Sequence, residues 1–393
     1  MIPLTPALSP KVRGSMTHGR DEPMRTRTWL APLAITLAVL SACEKPEDKK
    51  QATPTTGERR VVLYTSCDDY LLRDMIAAFE KETGIDVLEV GDTEATKTVG
   101  LYTRLVDEKD APRADVWWSN EPFYTVRLAE QGVLEPYTSE SNESAFPGGW
   151  PNNFRASDGT WYGFAQRARV IAYDTRKHSP ESVPITLRDL AEPQWKGKVG
   201  MARPLFGTTV GHIAALVTLW GEEPTRQWLQ AMEDQGLRLY DGNSSVVRAI
   251  ANGEIEIGLT DSDDVWAAQA QGLPIGLVYE SNEIEGSLPP TPDSVQPMMS
   301  FGALVIPNTA GVVRGAPHPA EAKALVDYLI SEASERLIMT SDSRNVPVRA
   351  SPARELFVLF PESQIQPAAF VNLEEVAANI EAARRLALDV FGG

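Results

Sequence analysis

Residues 161–173, WYGFAQRARVIAY, form one long extended stretch of the chain. It follows a segment rich in Pro, Gly, Ser and Asn (136–160) and ends in the β-favouring run Val170–Tyr173. Alternating strand and helix patterns lie on both sides of it. We therefore predict that this stretch is a strand connecting two α/β halves of the fold.

Before this strand, short apolar runs alternate with segments of helical periodicity. The runs at 61–64, 85–90 and 115–118 predict strands, and the patterns at 71–79 and 99–106 predict helices. This order is typical of a parallel sheet with helices on both faces.

The same alternation continues after the strand. It predicts strands at 199–202, 237–240, 255–260 and 275–279, and helices at 208–220, 224–232, 245–251 and 263–270. We expect a strand at 301–306 to return to the first half. The predicted fold class is therefore α/β, a two-lobed clamshell in which hinge strands join two mainly parallel sheets flanked by helices. The predicted domains are lobe 1 at 60–168 plus about 301–318, lobe 2 at 169–300, and C-terminal helices at 319–393 packing on the lobes.

The N-terminus has the pattern of a bacterial lipoprotein signal. Arg25 and Arg27 precede an apolar run, Trp29–Leu40, which is shorter than the about 20 residues that a membrane span requires. Leu-Ser-Ala-Cys follows and resembles a lipobox, which predicts lipidation of Cys43. We interpret 1–43 as the signal segment, with 1–23 as an extension upstream of it.

A polar segment at 44–59 follows the signal and predicts a flexible tether. The chain is therefore expected on the periplasmic or cell-envelope side of a bacterial membrane, held there by lipid. We expect a monomer there.

Composition excludes several classes of function. The net charge of −17 and the pI near 4.8 argue against nucleic-acid binding, which depends on a basic face. Two cysteines and four histidines leave little for a disulfide scaffold or a metal site built of these residues. No motif of a nucleotide-binding loop, a zinc protease or a serine hydrolase is present in the sequence. We expect no cofactor.

Three strand-to-helix turns are polar or acidic. They contain Asp68 and Asp69, then Asn120 and Glu121, and finally Asp261, Asp263 and Asp264. Ligands in open α/β folds bind at the carboxyl ends of the strands, so these residues are candidate ligand-binding groups. The alternative is helix capping, for which Asp is a preferred residue.

Other polar residues are candidates for an anion pocket. Thr208, Thr209, Asn243 and Ser244 open helices, where free N–H groups bind anions. Arg167 and Arg169 lie two apart on the crossing strand and share one face, as a cleft wall or as structural ion pairs. His212, one turn into its helix, is interpreted as structural.

Several motifs together resemble one family. They are the lipobox, Cys67-Asp68-Asp69, ADVWWSNE (114–121), RVIAYD (169–174), WKGK (195–198), NSSV (243–246), NGE (252–254) and FGALV (301–305). This order resembles the extracellular solute-binding proteins of ABC importers, family 1, in the branch of ferric-iron-binding periplasmic proteins. The resemblance implies the type II periplasmic-binding fold, with an ABC permease and its ATPase as partners.

The resemblance also implies a ligand set. The first-lobe ligands of the family correspond to Asp68 and to Asn120 or Glu121, an anion contact corresponds to Asn243, and an adjacent tyrosine pair corresponds to Asp263 and Asp264. We therefore name Asp68, Glu121, Asp263 and Asp264 as candidate metal ligands.

Three hypotheses for the function stay open at this point. The first is capture of ferric iron or another hard cation, with an anion completing its coordination. The second is binding of a phosphorylated organic solute such as aminoethylphosphonate or a sugar phosphate. The third is a metal-dependent envelope hydrolase, because paired carboxylates support such chemistry.

Overall fold

The computed structural model describes residues 59–67, 69–92, 98–283 and 300–392. The predicted signal segment with Cys43, the tether apart from its last residue, and Asp68 lie outside these residues.

The strands are, in chain order, β1 (Arg60–Thr65), β2 (Asp86–Gly91), β3 (Val116–Ser119), β4 (Leu134–Glu135), β5 (Tyr162–Asp174), β6 (Val199–Ala202), β7 (Arg238–Tyr240), β8 (Ile257–Asp261), β9 (Ile275–Tyr279), β10 (Asn282–Glu283), β11 (Ser300–Phe301), β12 (Ala303–Val313) and β13 (Ala368–Ala369).

The α-helices are, in chain order, α1 (Asp69–Thr83), α2 (Val99–Asp107), α3 (Phe123–Glu130), α4 (Glu140–Glu143), α5 (Gly207–Trp220), α6 (Glu222–Asp234), α7 (Asn243–Ala251), α8 (Ser262–Ala270), α9 (Pro319–Leu329), α10 (Glu332–Met339), α11 (Ala350–Leu359), α12 (Leu373–Ala378) and α13 (Ile380–Phe391).

The strands follow one another in the order β2-β1-β3-β12-β5-β8-β6-β7. β1 pairs in parallel with β2 and β3, and β12 is antiparallel to β3. On the far side of β5, β6 pairs in parallel with β7 and β8. Each half therefore has a parallel core, as the βα alternation predicts.

The long strand β5 belongs to both halves. Its residues 162–168 pair with β12, and its residues 169–174 pair with β8 and β9. The prediction that 161–173 connects the halves is confirmed by this register. All thirteen residues of β5 are buried, which explains why the sequence there lacks a polar–apolar alternation.

The first part of β5 is irregular. Ala165 is buried and has φ +46°, a left-handed conformation that costs a non-glycine residue roughly 1–2 kcal/mol. The register to β12 shifts opposite it, between Pro307 and Asn308. Asn308 stabilises this irregularity because its side-chain amide donates to the Ala165 carbonyl oxygen at 2.8 Å.

The C-terminal helices contact both halves of the molecule. Val376 of α12 and Ile380 of α13 belong to the same buried cluster as Phe123 of α3 and Ile213 of α5. In addition, Arg127 of α3 forms an ion pair with α13. The last stretch of the predicted C-terminal helices forms two helices, α12 and α13.

The predicted α/β fold class is confirmed. The sequence patterns did not indicate α10 and α11, which are short and follow α9 closely. The return strand is longer than predicted, since β12 continues to Val313. Among the described residues, no helix has both the length and the apolar character that crossing a bilayer requires.

Candidate functional site

A cavity of about 550 Å³ lies where strands of both halves end. Its wall includes the residues after β1 and β3, and the turns that open α5, α7 and α8. This is the place where open α/β sheets bind ligands. The polar lining residues are Ser66, Cys67, Asp92, Asn120, Arg167, Thr208, Thr209, Asn243, Ser244, Arg248, Asp261, Asp263, Asp264 and Gln271.

Asp261, the last residue of β8, is the centre of a buried polar network. Its carboxylate accepts from Arg169 Nη1 at 2.8 Å and from Thr208 Oγ1 at 2.7 Å, and Arg167 Nε lies 3.3 Å away. Asn243 Nδ2 donates to the same carboxylate at 3.0 Å. Burial raises the pKa of Asp261, but the charges of Arg169 and Arg167 outweigh burial and hold it below its ordinary value.

Asp263 and Asp264 lie in the first turn of α8, beside Asp261. Each of the three offers a carboxylate oxygen, and the three oxygens lie within 4.8 Å of one another. Arg167 Nε lies 3.4 Å from Asp263 Oδ2, and the Thr260 hydroxyl donates to Asp264 at 3.3 Å. Three carboxylates this close repel one another, so a cation between them is favoured.

The two arginines have different places in the site. The expectation that they share one face agrees with the structure, because both contact Asp261. Arg167 lines the cavity, whereas Arg169 lies behind the wall with 1% of its surface exposed.

Two helix N-termini face the cavity from the second half. Gly207 begins α5 with φ +60°, a conformation that glycine adopts without strain, and Thr208 and Thr209 follow it. Asn243 and Ser244 form the first turn of α7. N–H groups and hydroxyls at such positions bind anions, so the wall can accept an oxyanion beside the acidic turn.

Side chains of the first half close the opposite wall. The Ser66 hydroxyl donates to Asn120 Oδ1 at 3.2 Å, which joins the turns after β1 and β3. Cys67 and Asp92 also line the cavity. Asp92 accepts from the backbone N–H of Leu101 at 3.1 Å.

The structure places Glu121 away from the cavity wall. It is fully buried, and its carboxylate accepts from the backbone N–H groups of Phe123 at 2.7 Å and Tyr124 at 3.3 Å. Its side chain therefore satisfies the N-terminus of α3, which is the capping alternative. Asp68 and the Asp69 side chain lie outside the described residues.

Sequence reasoning missed several residues around the site. Asp92, Ser66 and Arg248 line the cavity, and Glu280 lies buried behind it beside His212. Asp92 follows its strand as the recognised acidic turns follow theirs, which is a signal that could have found it. No local pattern marks Glu280.

The chain belongs to a known family of binding proteins. The family model of bacterial extracellular solute-binding proteins matches residues 64–340, which is most of the chain. The predicted resemblance is therefore confirmed at the level of the family.

Individual relatives are named for iron. Iron uptake protein A1 of Synechocystis sp. is 26% identical over 334 residues, which cover 82% of this chain and 86% of that protein. The Fe(3+)-binding periplasmic protein of Serratia marcescens is 27% identical over 294 residues, covering 74% and 80%. The crystal structure of iron-bound HitA from Pseudomonas aeruginosa is similar in fold, with a TM-score of 0.65, 25% identity and coverage of 84% of this chain and 99% of that one.

Proposed function

We propose that this chain is the substrate-binding component of an ABC importer and captures ferric iron together with an anion. Two independent lines support the proposal. The relatives named above are an iron uptake protein and an Fe(3+)-binding periplasmic protein, and the cavity combines an acidic turn with two helix N-termini.

The proposal that a cation binds rests on the distribution of charge in the cavity wall that the second half forms. Arg167 and Arg169 are both within ion-pair distance of Asp261. The turn of α8 adds Asp263 and Asp264. Carboxylate oxygens are hard donors and suit hard cations such as ferric iron.

An anion completes the coordination in this proposal. Asp261 is already engaged by two arginines and two further donors, so Asp263 and Asp264 are the carboxylates proposed to bind the metal. Two carboxylates leave coordination positions open on a six-coordinate ion. The backbone N–H groups at the starts of α5 and α7, near Thr209 and Ser244, supply an anion pocket next to the acidic turn, because the Thr208 hydroxyl and the Asn243 amide already donate to Asp261. An oxyanion there reaches the cation and offsets its charge.

Transport follows from capture in this proposal. Cys43 anchors the chain by lipid to a bacterial membrane, and residues 44–59 allow it to reach an ABC permease coupled to its ATPase. The chain acts on the periplasmic side and releases its cargo chemically unchanged. It binds no cofactor, since the metal is the cargo.

The second candidate is a phosphorylated organic solute with an amine or hydroxyl group. It is favoured by the helix N-termini at Thr208 and Asn243, which suit a phosphate, and by a volume of about 550 Å³, which exceeds that of a bare ion. In that case Asp263 and Asp264 bind the amine or hydroxyl group.

Isothermal titration of the purified protein with ferric citrate, phosphate, aminoethylphosphonate and a hexose phosphate separates the candidates. We expect the double variant Asp263→Asn/Asp264→Asn to bind ferric citrate about 100-fold more weakly, the scale of two lost charged ligands. The thermal stability of the variant is measured alongside, because Asp263 is buried and contacts Arg167.

A matched control is available in α12, whose first turn contains the acidic pair Glu374 and Glu375. Glu374→Gln/Glu375→Gln should leave ferric affinity unchanged. Heat released only by the phosphorylated organics would reject the iron proposal in favour of the second candidate.

A further inference from the structure

A buried acidic side chain lies behind the cavity. Glu280 follows β9, and none of its surface is exposed. Its Oε1 lies 3.0 Å from His212 Nε2, but among the described residues neither this nitrogen nor either carboxylate oxygen makes a hydrogen bond, so the contact is one of proximity and charge. Burying a charged carboxylate without a compensating charge is unfavourable, so we expect a positive charge on the other side of the imidazole.

The other side of the imidazole explains this contact. Arg169 Nε donates to His212 Nδ1 at 3.4 Å. This bond makes Nδ1 an acceptor and leaves the ring proton on Nε2, which faces Glu280. The guanidinium of Arg169 is thus linked through one imidazole to a second carboxylate.

Arg169 in turn contacts three side chains of the cavity wall. Its Nη1 lies 2.8 Å from Asp261 Oδ1, 3.3 Å from Asn243 Oδ1 and 3.4 Å from Thr208 Oγ1. These residues come from β8, α7 and α5. The position of Arg169 therefore orients all three elements at the site.

We propose that His212 and Glu280 are positioning residues that hold Arg169 in place and set the preference of the cavity for cations over anions. Glu280 balances part of the charge of Arg169 from behind, so that charge offsets less of the negative charge of the acidic turn. Without the Glu280 charge, the site becomes more positive, binds cations more weakly and binds anions more tightly.

Removing the charge of Glu280 tests the proposal, because the affinities for ferric citrate and for phosphate should change in opposite directions. For Glu280→Gln we expect about tenfold weaker binding of ferric citrate and several-fold tighter binding of inorganic phosphate, the scale of one charge near a partly buried site. His212→Gln keeps groups that can bond both neighbours and should bind nearly as the wild type does. His212→Leu breaks both contacts but keeps the Glu280 carboxylate, so Arg169 loses the support of the imidazole and ferric citrate should bind more weakly.

Glu335→Gln is the matched control. Glu335 is also fully buried and paired with an arginine, Arg349, but neither lines the cavity. This variant should lose stability without changing the ratio of ferric citrate to phosphate affinity. Equal weakening of both ligands in Glu280→Gln would mean a merely structural role and would overturn the proposal.

A second measurement needs no cargo. Nitrogen-15 spectra of the histidine rings should show a proton on Nε2 of His212 and none on Nδ1, with the Nε2 signal displaced in Glu280→Gln. A proton on Nδ1 would overturn the proposal. The ferric citrate measurement rests on the proposed function. If the wild-type protein does not bind iron, only that function is rejected, because the phosphate and histidine measurements still test the roles of His212 and Glu280.

Discussion

Two buried acid–arginine groups in this molecule have opposite electrostatics. Asp261 at the cavity contacts two guanidinium groups, Arg167 and Arg169, and its pKa lies below the ordinary value because their charges outweigh the effect of burial. Glu335 of α10 contacts one, Arg349, and burial raises its pKa despite that charge. One arginine does not offset the loss of water around a buried carboxylate, and two do.

The two acid–arginine groups also differ in which elements of the fold they connect. Glu335 joins α10 to the backbone of Val348 and Arg349 and acts locally. Asp261 contacts residues of β5, α5 and α7 and lies beside the acidic turn. Its low pKa keeps it charged, so it balances Arg167 at the cavity wall and Arg169 behind that wall.

The largest effect is expected for Asp261→Asn. The change leaves two buried guanidinium groups without their shared partner, and breaking such a pair typically costs about 3–5 kcal/mol. Urea unfolding should show this loss, and ferric citrate should no longer bind at micromolar concentrations. A loss below about 1 kcal/mol would mean that Arg167 and Arg169 find other partners and would end the contrast with Glu335.

A smaller effect is expected for Glu335→Gln. The amide can still accept from the Val348 N–H, so we expect a loss of about 2–3 kcal/mol, mainly from the weaker contact with Arg349. Ferric affinity should be unchanged, because Glu335 lies outside the cavity wall. A cost equal to that of Asp261→Asn would show that the number of arginine partners is not decisive.

The smallest effect depends on pH and concerns Glu121, a buried acid in hydrogen-bond contact with backbone N–H groups and Ser119. Burial outweighs the charge of Arg167, which by itself lowers the pKa of this carboxyl. Burial raises the pKa of Glu121 to about 7. An acid with a raised folded-state pKa stabilises the protein most below its unfolded pKa, and this stability is lost as the pH rises through 7.

Glu121→Gln should remove that pH dependence while keeping an acceptor for the Phe123 N–H. The unfolding free energy of the wild type minus that of the variant should fall by at most about 2 kcal/mol between pH 5 and pH 7. Thermal or urea unfolding across this range measures the difference. Parallel curves for the two proteins would place the titration of Glu121 outside this window.

The alternating elements of the fold could be predicted because each strand or helix has its own apolar period. β5 and α5 lie within one or two residues of their predicted bounds. α10 and α11 were not predicted, although they are about as long as α8, because the packing of α10 on α1, β5 and α11 joins parts of the chain that no local pattern connects.

The candidate site was predictable in part for the same reason. Strand ends are visible in the sequence, so Asp261, Asp263 and Asn120 could be placed at one edge of the sheet. Glu121 has the same sequence context as its neighbour Asn120, yet one side chain caps a helix and the other lines the cavity. Local pattern does not distinguish these directions.

The sequence by itself determined the class of fold, the connection through 161–173 and the acidic character of the turn after β8, because periodicity and charge are local properties of the chain. Only the tertiary structure decided which charges meet. The partnership of Asp261 with Arg167 and Arg169, and that of Glu280 with His212, join residues far apart in sequence. Burial and distance, which set the strength of each charge, exist only once those residues have been brought together.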